Sequence, residues 1–159
     1  MKRSDMLTAA GMGAMAGMRA LSAPAMMSQE MAEDGTSAVE SPVEQFLSSP
    51  VTARVMPLLA VGEMVVDKLP QTRERMFPPV LLLRLVSGAA VGIAVAKQKE
   101  QPVLSFAVVG AAAALASAFA LHAAREFATR QMRIPHFIAG LLEDALVATV
   151  GKRLAPMIA

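Results

Sequence analysis

Cysteine is absent from this chain of 159 residues, which removes disulfides, thiolate nucleophiles and sulfur-based zinc sites. Trp and Tyr are missing too, and only six Phe remain. A Trp/Tyr belt at a membrane–water interface is therefore excluded, and Lys and Arg must anchor the helix ends. Charge is scarce, at 18% of residues against 55% hydrophobic, where soluble domains carry about a quarter charged. That balance points to a bilayer. No basic run reaches about five residues, so nucleic-acid binding has no electrostatic footprint. What the chain has in plenty is Ala, Gly and 13 Met. The Met are scattered, which suits flexible filler in a small-residue bundle better than a metal-binding thioether array.

Apolar runs separated by polar or proline-bearing joints predict a single all-α membrane domain over residues 1–159. It is expected as a bundle of about five membrane-embedded helices, at 6–27, 51–69, 79–96, 102–124 and 135–157, with an acidic polar loop at 28–50. Pro24 is expected to kink or end the first helix. A cleaved leader is the rival reading of that run, but Arg19 sits where a leader should be purely apolar. The loop carries Glu30, Glu33, Asp34, Glu40 and Glu44 without Lys or Arg, and has room for a short amphipathic turn near Val43–Leu47. Gly13–Gly17 and Gly88–Gly92 are GxxxG pairs, which permit close helix approach and offer seams for a homo-oligomer in lipid.

With five spans, Lys2, Arg3, Lys68, Arg73, Arg75, Arg125, Arg130 and Arg133 share one side, twice as many basic residues as Lys97, Lys99, Lys152 and Arg153 opposite. The positive-inside tendency then puts the N-terminus in the cytoplasm. The same count makes helices 1–2 run opposite to helices 4–5, the arrangement of an inverted repeat.

The charges within the spans carry the functional argument. Glu63 and Asp67 lie four residues apart on one helix face, Arg19 and Arg84 sit inside apolar runs, and Glu143–Asp144 fall mid-segment. Isolated buried ions are costly, so a polar cluster of Arg19, Glu63, Asp67, Arg84, Glu143 and Asp144 is expected. Arg19 and Arg84 are its natural carboxylate partners. Lys68, Arg73, His122 and Arg125 are expected at helix ends.

Four stretches stand in order: GMGAMAGMRALSAPA (11–25), GEMVVDKLPQTR (62–73), RLVSGAAVGIAVA (84–96) and LLEDALVATVG (141–151). Together the chain resembles a small bacterial integral-membrane family catalogued as domain of unknown function 4126. The resemblance implies a multi-pass protein of the inner (cytoplasmic) membrane with no established activity. It also implies that Arg19, Pro24, Glu63, Asp67, Lys68, Pro70, Arg73, Arg84, Glu143 and Asp144 are signature positions.

An excess of acid over base in the expected cluster favours permeation of a small ion, proton or polar solute. The alternative is a structural or assembly role in which the ion pairs only fix helix packing. A membrane-embedded lipid-modifying enzyme is the third reading, and the weakest. No Ser or His is placed as an activated nucleophile, no catalytic residue is assigned, and the helical His/Glu spacings of metal sites are missing. No cofactor or metal is expected, and the partner expected is the lipid bilayer.

Overall fold

The computed structural model describes residues 2–33, 41–66, 78–131 and 136–154. Seven helices account for nearly all of them, and no strand occurs among them: α1 (Arg3–Met18), α2 (Ser22–Glu33), α3 (Pro42–Leu47), α4 (Pro50–Val66), α5 (Pro78–Gln98), α6 (Val103–Arg130) and α7 (His136–Leu154).

The first expected helix is two. A proline ring crowds the carbonyl four residues earlier and supplies no N–H, so a helix running through Pro24 would be damaged at Ala20. The backbone accordingly leaves the helix at Arg19, which is extended (φ −139°, ψ 113°) and donates its N–H to the Met15 carbonyl. Pro24 then occupies the first turn of α2, where its missing donor does no harm. The break thus precedes Pro24 instead of falling on it. α2 turns back along α1: Gly151 of α7 lies against both Met15 and Met26, and Met31 joins the same core as Ala9 and Met12.

Beyond its polar first turn α1 is apolar almost all round, and a helix of that kind belongs in the middle of a bundle. Ala9, Met12, Met15 and Ala16 are fully buried there. Gly13 faces the Gly110 backbone and Gly17 faces Ala114 and Ser117, so α1 runs parallel to α6. Gly88 and Gly92 bring α5 against Gly110 and Phe106, antiparallel to α6. The Ser117 hydroxyl crosses the seam to donate to the Ala14 carbonyl at 2.7 Å. Both GxxxG pairs are therefore used inside the chain, and a contact between copies would need other surfaces. The core methionines fill the irregular gaps between these close-packed helices.

The short turn expected near Val43–Leu47 is α3. Pro42 occupies its first turn, and Ser41 and Glu44 bond reciprocally in a capping box. Glu44 is thereby buried and bonded instead of lining an acidic loop. α2 also continues to Glu33, so the acidic segment begins later than expected.

The α5–α6 turn closes as a Schellman motif. Gln101 N–H donates to the Ala96 carbonyl at 2.7 Å, Glu100 N–H donates to Lys97, and Glu100 sits at φ 51°. A side chain there resists the left-handed backbone by about 1 kcal/mol. Glu100→Gly is expected to hold or raise stability by up to about 1 kcal/mol despite the greater freedom of the unfolded chain. Thermal unfolding in detergent measures it, and a clear drop would contradict the motif.

These contacts set directions along the bundle. Leu154 lies against Gly11 and Arg19 meets Asp144, so α7 is antiparallel to α1. Glu63 reaches Ala20 while Met56 packs with Ala25, so α4 is antiparallel to α2. The starts of α1 and α6 and the ends of α2, α5 and α7 therefore share one end, opposite the α1–α2 turn. The odd count behind the predicted helix 1–2/4–5 inverted repeat gives way to an even alternation. Lys2 and Arg3 move to the side of Lys97 and Lys152, and the basic asymmetry that oriented the N-terminus disappears.

α5 and α6 are long and apolar enough to cross a membrane. α4 has 17 residues within the described segment, and α7 carries Glu143, Asp144, Lys152 and Arg153, so neither matches them. The exterior is nonetheless apolar, with Leu58, Val65, Leu82, Leu104, Val108, Phe119 and Leu142 each about half exposed or more.

Candidate functional site

At the α1–α2 turn the helices deliver their charged side chains to one level. Arg19 follows directly from the end of α1 and is 1% exposed, the largest fully buried side chain of the described residues. Its Nη2 donates to Oδ1 of Asp144 on α7 at 2.5 Å. Glu63, three residues before the end of α4, accepts from the N–H groups of Ala20 and Leu21, both at 2.9 Å, one on each carboxylate oxygen. These donors precede the first turn of α2, where N–H groups have no intrahelical acceptor and the helix dipole favours an anion. Beside them the Ser22 hydroxyl is buried without a hydrogen-bond partner.

Glu143 and Asp144 are adjacent in sequence, so they point to different neighbours around α7. Asp144 takes Arg19, and Glu143 takes Arg125 of α6 with Nη2 to Oε2 at 3.3 Å. Their side chains are 15% and 5% exposed, so both pairs are largely removed from water. Arg84 of α5 is also buried and is not without a partner. It lies one turn before Gly88 on a helix antiparallel to α6, which places it near the level of Gly17 and Arg19.

The expected cluster thus forms around Arg19, Glu63, Glu143 and Asp144, with Arg84 buried at a similar level. Two assignments change. Glu63 is held by backbone N–H groups where an arginine was expected, and Arg125 joins the cluster instead of marking a helix end. α6 continues to Arg130 because His122–Arg130 contains no Gly or Pro and is closed by a Glu126–Arg130 pair at 2.9 Å. His122 is exposed on that helix, away from its end. Asp67, Lys68 and Arg73 lie outside the described residues.

Counting described members, Arg19, Arg84 and Arg125 balance Glu63, Glu143 and Asp144. Among the described residues, the inclusion of Arg125 offsets the excess of acid that favoured a cation or proton. Among the described residues no group of His, Asp and Glu has the grouping of a metal site. Arg125 could have been anticipated had the basic stretch after Leu121 been read as continuing helix. The backbone role of Glu63 left no signal in the sequence, because it depends on where α1 breaks.

A family model described as domain of unknown function (DUF4126) matches residues 6–152, and the chain belongs to that family. No curated protein and no solved structure matches it.

Proposed function

We propose that this is a multi-pass protein of the bacterial inner membrane that lets a small polar solute or ion pass at the α1–α2 turn. The observation that carries the reading is the interrupted helix, with Glu63 seated on the N–H groups of Ala20 and Leu21 inside an apolar-surfaced bundle. Discontinuous membrane helices use such half-helix N-termini to hold anionic groups. Ionisable side chains at membrane depth are commonly part of a substrate or ion pathway. In this reading α1–α2 enters as a hairpin, and α4, α5, α6 and α7 cross around it. Non-helical backbone is tolerated at that depth only where protein covers it and its polar groups are bonded, a condition Glu63 supplies. The balanced charge of the described members favours a polar or anionic solute over a metal cation.

The charge balance also favours the second reading, a structural or assembly protein whose ion pairs hold the hairpin in register. Reconstituted protein separates the two. Transport predicts uptake of at least one ion or polar solute into liposomes above empty controls, reduced about tenfold or more in Glu63→Gln. Empty-liposome rates across a panel of inorganic ions, carboxylates and polyols would leave the structural reading standing.

A further inference from the structure

We propose that α4 is a hinged lid over the α1–α2 hairpin, and that Glu63 is its latch. The packing divides the bundle unevenly. α1, α5 and α6 interlock through glycines whose backbones touch, so none can move without the others. α2 is tied into the same core through Met27 and Met31. α4 packs chiefly on α2 and α3 among the described helices. Its buried apolar contact with α2 is a separate small cluster, where Met56 and Ala60 lie on Ala25 and the partly buried Leu21.

The polar tie is the Glu63 carboxylate, whose two bonds close one end of the α4–α2 interface. At the opposite end α4 is joined to α3 by Ser48 and Ser49 alone, a joint short enough to act as a pivot. Pro57 removes one backbone hydrogen bond from the middle of the lid. Rotation about Ser48–Ser49 swings Glu63 furthest. It uncovers two backbone donors of the interrupted helix, close to the buried Ser22 hydroxyl. Elements held by few buried contacts open at lower free energy than the core around them. The motion is independent of what, if anything, passes the site.

The natural chain has no cysteine, so single thiols report local opening cleanly. Ala25→Cys places a thiol beneath α4, whereas Ala94→Cys places one in the main core on α5. The expected result is that N-ethylmaleimide modifies the Ala25→Cys thiol about tenfold or more faster than the Ala94→Cys thiol in the same reconstituted protein. Adding Glu63→Ala should raise the first rate about tenfold again and leave the second unchanged, because two hydrogen bonds to a charged acceptor are lost. Glu63→Gln, which keeps a carbonyl acceptor, should fall between. Equal rates at the two positions would overturn the lid. A Glu63→Ala effect that is absent, or that accelerates both thiols alike, would overturn the latch.

Discussion

Replacing Gly17 with valine is expected to push α1 away from α6 and lower stability by about 3 kcal/mol, the upper end for overpacking. A Cβ built at Gly17 overlaps the Ala114 carbonyl oxygen and the Ser117 hydroxyl. Backbone cannot step aside as a flexible side chain can, so the strain spreads along the helix. The displaced serine also loses its bond to Ala14. Gly62 is the internal control. A Cβ there meets nothing within 4 Å, so Gly62→Ala is expected to stabilise α4 by about 0.5–1 kcal/mol through helix propensity. Thermal unfolding of both variants in one detergent compares them directly. A Gly17→Val protein that melts with the native one would refute the close α1–α6 seam.

Arg19→Leu is expected to cost about 3–5 kcal/mol, because it removes the guanidinium that pairs with Asp144 in a site from which water is largely excluded. The residual exposure of Asp144, 15% of its side chain, places the effect toward the lower bound. The penalty belongs to the buried charge left under-compensated more than to the lost pair. Arg19→Leu combined with Asp144→Leu should therefore recover most of the loss, and a double-mutant cycle should return a coupling of about 2 kcal/mol. Simple addition of the two single losses would show that the residues do not act as a pair. Arg125→Leu repeats the logic at Glu143 with a smaller expected effect, since the separation is 3.3 Å and Arg125 is 17% exposed.

Several features were legible before any coordinates. The long uncharged run after Pro102 is α6, and α5 opens at Pro78 as a proline at a first helical turn should. The two GxxxG pairs lie at close helix contacts. The sequence pointed to Arg19, Glu63, Glu143 and Asp144 as buried charges but neither to Arg125 among them nor to the pairing. Arg19 had Glu63, Asp67, Glu143 and Asp144 as candidates, and chain spacing ranks none of them.

The helix count failed at one place, with wide consequences. Residues 6–27 are apolar enough to read as one span, and periodicity does not distinguish a straight helix from two halves folded together. Once α1 and α2 are a hairpin, the start of α1 shares an end with the close of α7 instead of lying opposite it, and the predicted repeat and orientation lose their basis.

Local chemistry determined which stretches are helical, where proline and glycine punctuate them, and that charged groups in apolar runs must find partners. Those effects act within a turn or two of chain. Partner choice acts across the bundle. Gly13 and Gly17 let α1 approach α6, Gly88 and Gly92 do the same for α5, and the depth of that approach sets which carboxylate each arginine meets. The α1 break turns two N–H groups toward Glu63 instead of along a helix. Only the folded chain decides that, because the acceptor lies 42 and 43 residues away from its donors.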